Sequence, residues 1–156
     1  MLRLLMLACL LAAGAGVAAV AGLPAPPERA AALQPPRPIP ARMLGPGVPV
    51  PISPALLRVR NAWLVSDGRT LVAVYAGADG EDPSVGRLVI VRQDLRAGNQ
   101  TVRTIDAGPT GALTIAAAPL GSSVETSAQT GKIRLRAADG GALTLDLGPS
   151  TLTRAS

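Results

Sequence analysis

Turn-forming residues recur about every ten positions from residue 56 to the end of the chain, and this rhythm limits the fold more than any other feature. The turn signals are Asp67-Gly68, Asp79-Gly80, Gly98-Asn99, Gly108-Pro109, Gly121, Gly131, Asp139-Gly140-Gly141 and Gly148-Pro149. Short runs of β-branched and aliphatic residues lie between them, and no window has an apolar stripe of helical period and length. The pattern predicts an all-β domain over residues 56–156, a small antiparallel sandwich or barrel of about eight strands.

The first 21 residues have the pattern of a secretory signal peptide. Arg3 precedes a long uncharged run that is rich in leucine from Leu4 to Leu11, and Ala19-Val20-Ala21 supplies small residues for cleavage after Ala21. Two alternatives stay open. An uncleaved segment of 20 uncharged residues is long enough to anchor the chain in a membrane, and Cys9 loosely resembles a lipoprotein box. We therefore expect an exported protein, which contacts a membrane only if this segment is retained.

Residues 22–55 are predicted to be a disordered, proline-rich tether. Eleven prolines lie among the 31 residues from Pro24 to Pro54. Proline fixes φ and removes a backbone donor, so this composition excludes a helix or a central strand and favours extended polyproline II. Such a segment is a spacer that displays the β domain at a distance.

The composition removes most catalytic chemistry. The chain has no histidine, and its one cysteine lies in the predicted signal peptide, so imidazole and thiolate catalysis and the corresponding metal sites are excluded from the mature protein. A Ser–Lys dyad would depend on Lys132, the single lysine, and a carboxylate pair would need one buried acid. We predict a protein that is not an enzyme and has no cofactor.

The charges are spread along the strands rather than gathered into a patch. Fifteen basic residues oppose ten acidic ones, and arginines alternate with apolar residues in Arg58-Val59-Arg60 and Arg134-Leu135-Arg136, as on solvated sheet faces. Trp63 and Tyr75 are the only aromatic residues, so a nucleic-acid surface with stacking side chains is not expected. A weak attraction to an anionic envelope polymer is compatible with this charge.

The first predicted hairpin carries the candidate binding residues. Asp67-Gly68 predicts a tight turn, and pairing Val65 with Thr70 divides the hairpin into two faces. The predicted core face is Val59, Trp63, Val65, Val72 and Val74, and the mixed face is Arg60, Leu64, Arg69, Leu71, Ala73 and Tyr75. We expect Tyr75 to stack on Arg60, and Arg60, Tyr75 and Arg69 are the candidate binding residues.

A second hairpin is predicted from Arg87–Asp94 and Gln100–Asp106, with Gly98 in a left-handed bulge position. The segments SDGRTLVAVYAG and GRLVIVRQDLRAGNQTVRTIDAG, within residues 63–108, resemble one blade of the YVTN-type β-propellers. The resemblance implies a strand–turn pattern and no ligand, because a propeller needs at least four blades and residues 109–156 do not repeat the unit. The whole chain also resembles uncharacterised exported proteins of high-GC bacteria, which implies no activity.

Four later strands are predicted at 112–116, 124–129, 133–137 and 143–147.

The loop that follows the first hairpin holds the one acidic cluster. Asp79, Glu81 and Asp82 are a weak candidate for a Ca²⁺ site, since Ca²⁺ takes oxygen ligands, although a solvated loop explains the same residues.

These observations predict an exported cell-envelope or secreted accessory protein. Its β domain would bind or have a structural role, and its partner would be an unidentified envelope component or protein. The alternative is an envelope hydrolase with a carboxylate or Ser/Lys site that the sequence does not reveal.

Overall fold

The computed structural model describes residues 37–120 and 131–155. In these residues nine strands form two antiparallel sheets, and there is no helix. The strands are β1 Ile39–Leu44, β2 Leu57–Ser66, β3 Thr70–Asp79, β4 Gly86–Asp94, β5 Gln100–Asp106, β6 Leu113–Ala117, β7 Lys132–Ala137, β8 Ala142–Asp146 and β9 Thr151–Arg154. One sheet has the order β1-β2-β3-β4-β5 and the other β6-β7-β8-β9. The all-β prediction is confirmed, and the architecture is an open sandwich.

Three predictions fall wholly or partly on residues that the structure does not describe. The signal peptide, residues 1–21, and the strand predicted over 124–129 lie outside the described ranges, and so do residues 22–36 of the predicted tether. The described residues therefore do not bear on these parts of the prediction.

The main core lies between the two sheets. It contains sixteen buried residues. Among them, the large side chains of Trp63, Leu88, Leu135 and Leu145 are fully buried. The predicted core face of the first hairpin is confirmed for Trp63, Val65, Val72 and Val74. The alternation predicted for 133–137 and 143–147 is confirmed as well, because all six of its apolar residues are buried. They are Ile133, Leu135, Ala137, Leu143, Leu145 and Leu147.

The register of the first hairpin differs from the prediction by two positions. Val65 pairs with Val72 rather than with Thr70, because Gly68 and Arg69 form the two central residues of the turn. Gly68 has a φ of 82° while Arg69 has a negative φ, which is the pattern of a type II′ turn. The Asp67 carboxylate accepts hydrogen bonds from the Arg69 and Thr70 amides and fixes this turn. A two-residue shift keeps each side chain on its face, so the inward position of Trp63, Val65, Val72 and Val74 was still predicted correctly.

A β-bulge at Arg60 overturns the predicted position of Val59. Val59 pairs with Gly77 and Asn61 pairs with Ala76, so Arg60 is the extra residue in β2. Such an insertion reverses the alternation beyond it. Val59 consequently packs on the outer face of the five-stranded sheet instead of in the main core.

The described domain begins earlier in the sequence than predicted. Ile39–Leu44, inside the segment predicted as tether, forms edge strand β1 on β2. Proline is tolerated at an edge or a bulge, and Pro40 lies where the β1 register shifts, between Ile39 and Arg42. The expectation of a disordered tether up to residue 55 is therefore corrected: the hydrogen bonds of β1 to β2 offset the low strand propensity of Pro40.

The segment after β1 covers part of the outer face of the five-stranded sheet. Val50 and Ile52 pack there against a second cluster of buried residues. That cluster consists of Leu57, Ala62, Ala73, Tyr75, Val89 and Val91. The five-stranded sheet is thus apolar on both faces, and its central strand β3 is buried from Val72 to Ala78.

Two further predicted turns are confirmed, and one strand was missed. Gly98 adopts a φ of 71°, as expected for the left-handed position after β4. Gly140 has a φ of 86° in the turn between β7 and β8. Strand β9 was not predicted, because Thr151–Arg154 is too short and too polar to show a β pattern.

Candidate functional site

The three candidate binding residues of the first hairpin do not lie together. Arg69 is exposed at the hairpin tip, and Arg60 is exposed at the bulge near the other end of β2. The two positions are about 20 Å apart along the strand. Tyr75 is only 7% exposed and belongs to the buried cluster on the outer face. The prediction that Tyr75 is exposed and stacks on Arg60 is therefore wrong. Tyr75 pairs with Ala62, because the register of β2 is shifted, and with Val89 of β4. Residues 44–52 cover this face of the sheet.

Burial also changes the acidity of Tyr75. Removal of the phenol from water raises the pKa of Tyr75 above its ordinary value, because the charged phenolate loses solvation. Tyr75 thus acts as part of the apolar packing and presents no ring surface to a ligand.

Arg60 is held at the junction of the two sheets by its neighbour Asn61. The Asn61 Nδ2 donates to the Ile115 carbonyl, and its Oδ1 accepts from the Ile115 amide, both at 2.9 Å. Strand β6 has its own bulge at this point, since Ile115 pairs with Leu135 and Ala117 with Arg134. The Asn61 amide therefore joins the five-stranded sheet to the four-stranded sheet. The sequence carries no motif that marks Asn61 for this role.

An open groove of about 410 Å³ lies beside this junction. Arg60 lines it on the side of β2, and Thr114 and Arg136 line it on the side of the four-stranded sheet. Thr114 and Arg136 are direct partners across β6 and β7. The remaining lining residues are Ala112, Ala116, Ala137 and Ala138, which leave the space between the two arginines open. The structure thus places Arg60 with Arg136 instead of with Tyr75.

The groove is electropositive. Its lining contains two guanidinium groups and no carboxylate, and no ion pair connects Arg60 or Arg136 to another described residue. Arginine presents a planar fork of donors that fits carboxylate and phosphate groups. The arrangement is suited to holding an anion. Its lining offers neither a carboxylate acid or base nor a thiol or imidazole nucleophile.

The acidic loop is closed by contacts within the protein. Asp79 forms an ion pair of 2.6 Å with Arg87 and accepts a hydrogen bond of 2.9 Å from the Glu81 amide. Asp82 accepts hydrogen bonds from the amide and the hydroxyl of Ser84, and the hydroxyl bond above all lowers the pKa of Asp82. The Ca²⁺ candidate Asp79, Glu81 and Asp82 is not brought together: in the ranges 37–120 and 131–155, no group of three acidic or other ligating side chains could hold a metal ion.

Arg87 forms a charged cluster that the sequence did not reveal. Its guanidinium contacts Asp79 and Asp106 at 2.6 Å each and donates to the Leu56 carbonyl at 3.1 Å. The hydrogen bond from Arg87 lowers the pKa of Asp106. These contacts connect the ends of β3, β4 and β5 to the residue before β2. Of these contacts, the sequence could have predicted only the Arg87–Asp106 ion pair, because the two residues are direct partners across β4 and β5.

Lys132, the residue on which a Ser–Lys site would depend, is exposed at the start of β7. It lines neither the groove at Arg60 nor two further grooves of about 370 and 330 Å³. The first of these lies between β5 and β9, and the second lies between β2 and residues 45–54. Asp106 is the one acid that lines any of the three.

Within the described part of the chain, no helix has the length and apolar character needed to cross a bilayer. No family model matches the sequence, and no curated protein or solved structure is significantly similar to it. The resemblance of residues 63–108 to a propeller blade stays a prediction.

Proposed function

We propose that this chain is an exported accessory protein whose β-sandwich binds a component of the cell envelope or a protein partner without catalysing a reaction. The observation that carries the proposal is the electropositive groove at the junction of the sheets, where Arg60 and Arg136 face open space. This is a surface that can hold an anionic partner through arginine donors. It offers neither a carboxylate acid or base nor a thiol or imidazole nucleophile that would cleave one.

The N-terminal sequence supports export and display. Residues 1–21 have the charge and apolar pattern of a signal peptide. Because β1 begins at Ile39, the proposed spacer comprises residues 22–38. It would present the domain away from whatever holds the N-terminus.

The experiment that tests export uses the full chain expressed in a bacterium. The proposal expects the protein in the extracytoplasmic fraction with an intact mass that begins at Gly22. Recovery in the cytoplasm with Met1 to Ala21 retained would contradict export. Recovery in the membrane with those residues retained would contradict the cleaved form and favour the anchor.

The experiment that tests binding uses the purified full chain with washed cell-envelope fragments. We expect the protein to sediment with the fragments. Arg60→Gln should weaken this binding, and the control Arg96→Gln should leave it unchanged. Both arginines are exposed, and each change removes one positive charge. Failure of the unaltered protein to sediment, or equal weakening by the two changes, would contradict binding through the groove.

A further inference from the structure

The outer face of the four-stranded sheet carries a row of three cations. Lys132, Arg134 and Arg136 alternate along β7 with buried Ile133, Leu135 and Ala137, and all three charged residues are exposed. Residues two apart in a strand are about 6.6–6.8 Å apart on the same face. Strand β7 lies between β6 and β8, so the row runs along the interior of the sheet rather than at its edge.

Small hydroxyl side chains flank this basic row. Thr114 of β6 is paired with Arg136, and Thr144 of β8 is paired with Arg134. Thr153 of β9 extends the same line beyond Thr144. The flanking residues are short, so they leave the cations standing above the surface, and their hydroxyls can both donate and accept hydrogen bonds.

Negative charge on this face is sparse. Asp146 is the partner of Lys132 across β7 and β8, yet no ion pair within 4.0 Å joins them. The ion pairs among described residues involve Arg87 and Arg154 instead. Three like charges in one row repel one another, and a line of anions at a similar spacing would relieve that repulsion. The groove continues the row, because Arg136 belongs to both and Arg60 lies across from it.

We propose that this basic row binds a linear acidic polysaccharide, with the carboxylates of the polymer on Lys132, Arg134 and Arg136 and its hydroxyls on the flanking threonines. The proposal rests on the proposed binding function and names its ligand class. A polymer fits because the cations form a line, whereas a globular anion would contact one or two of them.

The chemistry of the face distinguishes this ligand from two other polyanions. Single-stranded nucleic acid is bound by aromatic side chains on which bases stack, and both aromatic residues of this chain are buried in the five-stranded sheet. Peripheral binding to a membrane surface combines basic side chains with large apolar side chains that insert between lipids. The described outer positions of β6 to β9 carry threonine, alanine and charged residues instead.

The test measures binding of the full chain to long-chain polygalacturonate, with the fully methyl-esterified polymer as the uncharged control of the same backbone. We expect binding to the acid form only. Three contacts predict a slope of about −2 in a plot of log affinity against log salt. Binding to the ester with equal affinity, or an affinity that does not depend on salt, would overturn the proposal.

The variants compare two triple changes that remove the same net charge. Replacement of Lys132, Arg134 and Arg136 by glutamine should weaken binding at least tenfold. Replacement of exposed Arg37, Arg42 and Arg96 by glutamine should change it less than twofold. Equal weakening would show non-specific attraction and overturn the proposal. Far-ultraviolet circular dichroism checks the fold, and Arg134→Gln alone should weaken binding at least threefold if the triple variant unfolds.

Two further probes decide between ligand classes. An oligodeoxythymidylate and anionic phosphatidylglycerol vesicles should each bind more weakly than polygalacturonate at equal ionic strength, and tighter binding to either would overturn the choice of polysaccharide. Sedimentation with envelope fragments separates the two proposals. If the fragments retain the protein and polygalacturonate does not bind, only the ligand assignment fails. If neither binds, the proposed function fails as well.

Discussion

The side-chain amide of Asn61 and the backbone of Ile115 exchange two hydrogen bonds of 2.9 Å across the sandwich. Asn61 thereby completes the pairing of β6 at the point where both β2 and β6 bulge. Partly buried backbone N–H and C=O groups need hydrogen-bond partners, because a group without one has lost its hydration and gained nothing in exchange. The Asn61 side chain thus supplies hydrogen bonds that a neighbouring strand supplies elsewhere in the sheets.

Asn61→Ala should lower the free energy of unfolding by about 2–4 kcal/mol, because it removes two hydrogen bonds and leaves both Ile115 groups unsatisfied. Urea unfolding measures the change. The matched control is Asn99→Ala, at the other asparagine of the chain, which is exposed in a turn and should cost less than about 0.5 kcal/mol. Equal costs for the two variants would contradict the role of Asn61.

Gly77→Ala should destabilise the fold by about 3 kcal/mol, the upper part of the usual range for overpacking. A Cβ at position 77 would overlap the Arg58 carbonyl, which lies against β3 beside the bulge. The overlap is with backbone, so it forces a shift of the strand rather than of one side chain. Thermal unfolding should show a clear fall in the midpoint. Gly45→Ala is the control, since nothing lies within 4 Å of its added Cβ, and its midpoint should stay within a degree or two of the unaltered protein.

Arg87→Met should lower the free energy of unfolding by about 2–3 kcal/mol, somewhat less than for a fully buried ion pair. The side chains of Arg87 and Asp79 are only 16% and 14% exposed, so the change leaves a poorly solvated carboxylate without its partner. Denaturant unfolding of Arg87→Met and of the double variant with Asp79→Asn tests this. The double variant should recover part of the loss, because it removes the unpaired charge. A double variant less stable than Arg87→Met would contradict the interpretation.

The fold should lose stability in acid and keep it unchanged between pH 5 and 8. Hydrogen bonds from backbone amides lower the pKa of Asp67, Asp94 and Asp139, and the bond from Arg87 lowers that of Asp106. A lowered folded pKa contributes stability that is complete above the unfolded value of about 3.9 and is lost as the pH falls through the folded value. No histidine titrates between pH 5 and 8.

Chemical unfolding across the pH range should therefore show a plateau and a fall below about pH 4. Asp67→Asn should make that fall shallower, since an amide oxygen at position 67 can still accept hydrogen bonds but has no charge to lose. An acid limb identical to that of the unaltered protein would contradict the contribution of Asp67.

Tyr75 should ionise above the ordinary tyrosine pKa of about 10 while the protein is folded. Burial raises its pKa, so its contribution to stability is complete below the unfolded value and is lost as the pH rises through the folded value. As the chain has one tyrosine, tyrosinate absorbance reports on this residue alone. Titration at the ordinary value in a protein that remains folded would show that the ring is exposed.

Local sequence determined most of the strands and the faces that form the main core. Alternation places Trp63 and Leu135 toward the interior, and a turn glycine such as Gly98 relieves the strain of a positive φ, so each of these follows from neighbours in the chain. The exposure of Arg134 and Arg136 was likewise predicted from alternation alone. Their place in a row beside Thr114 and Thr144 required the pairing of three strands.

Only the tertiary structure decided the pairing of β1, the bulge at Arg60 and the burial of Tyr75. Local propensity predicts no strand in Ile39–Leu44, yet β2 supplies the partners that stabilise it. The bulge at Arg60 lies beside the Asn61–Ile115 contact, which joins residues 54 positions apart, and Tyr75 is buried by residues that return over the sheet. Alternation and turn chemistry act between near neighbours, whereas these contacts join distant segments, and local sequence does not encode which distant segment will supply the partner.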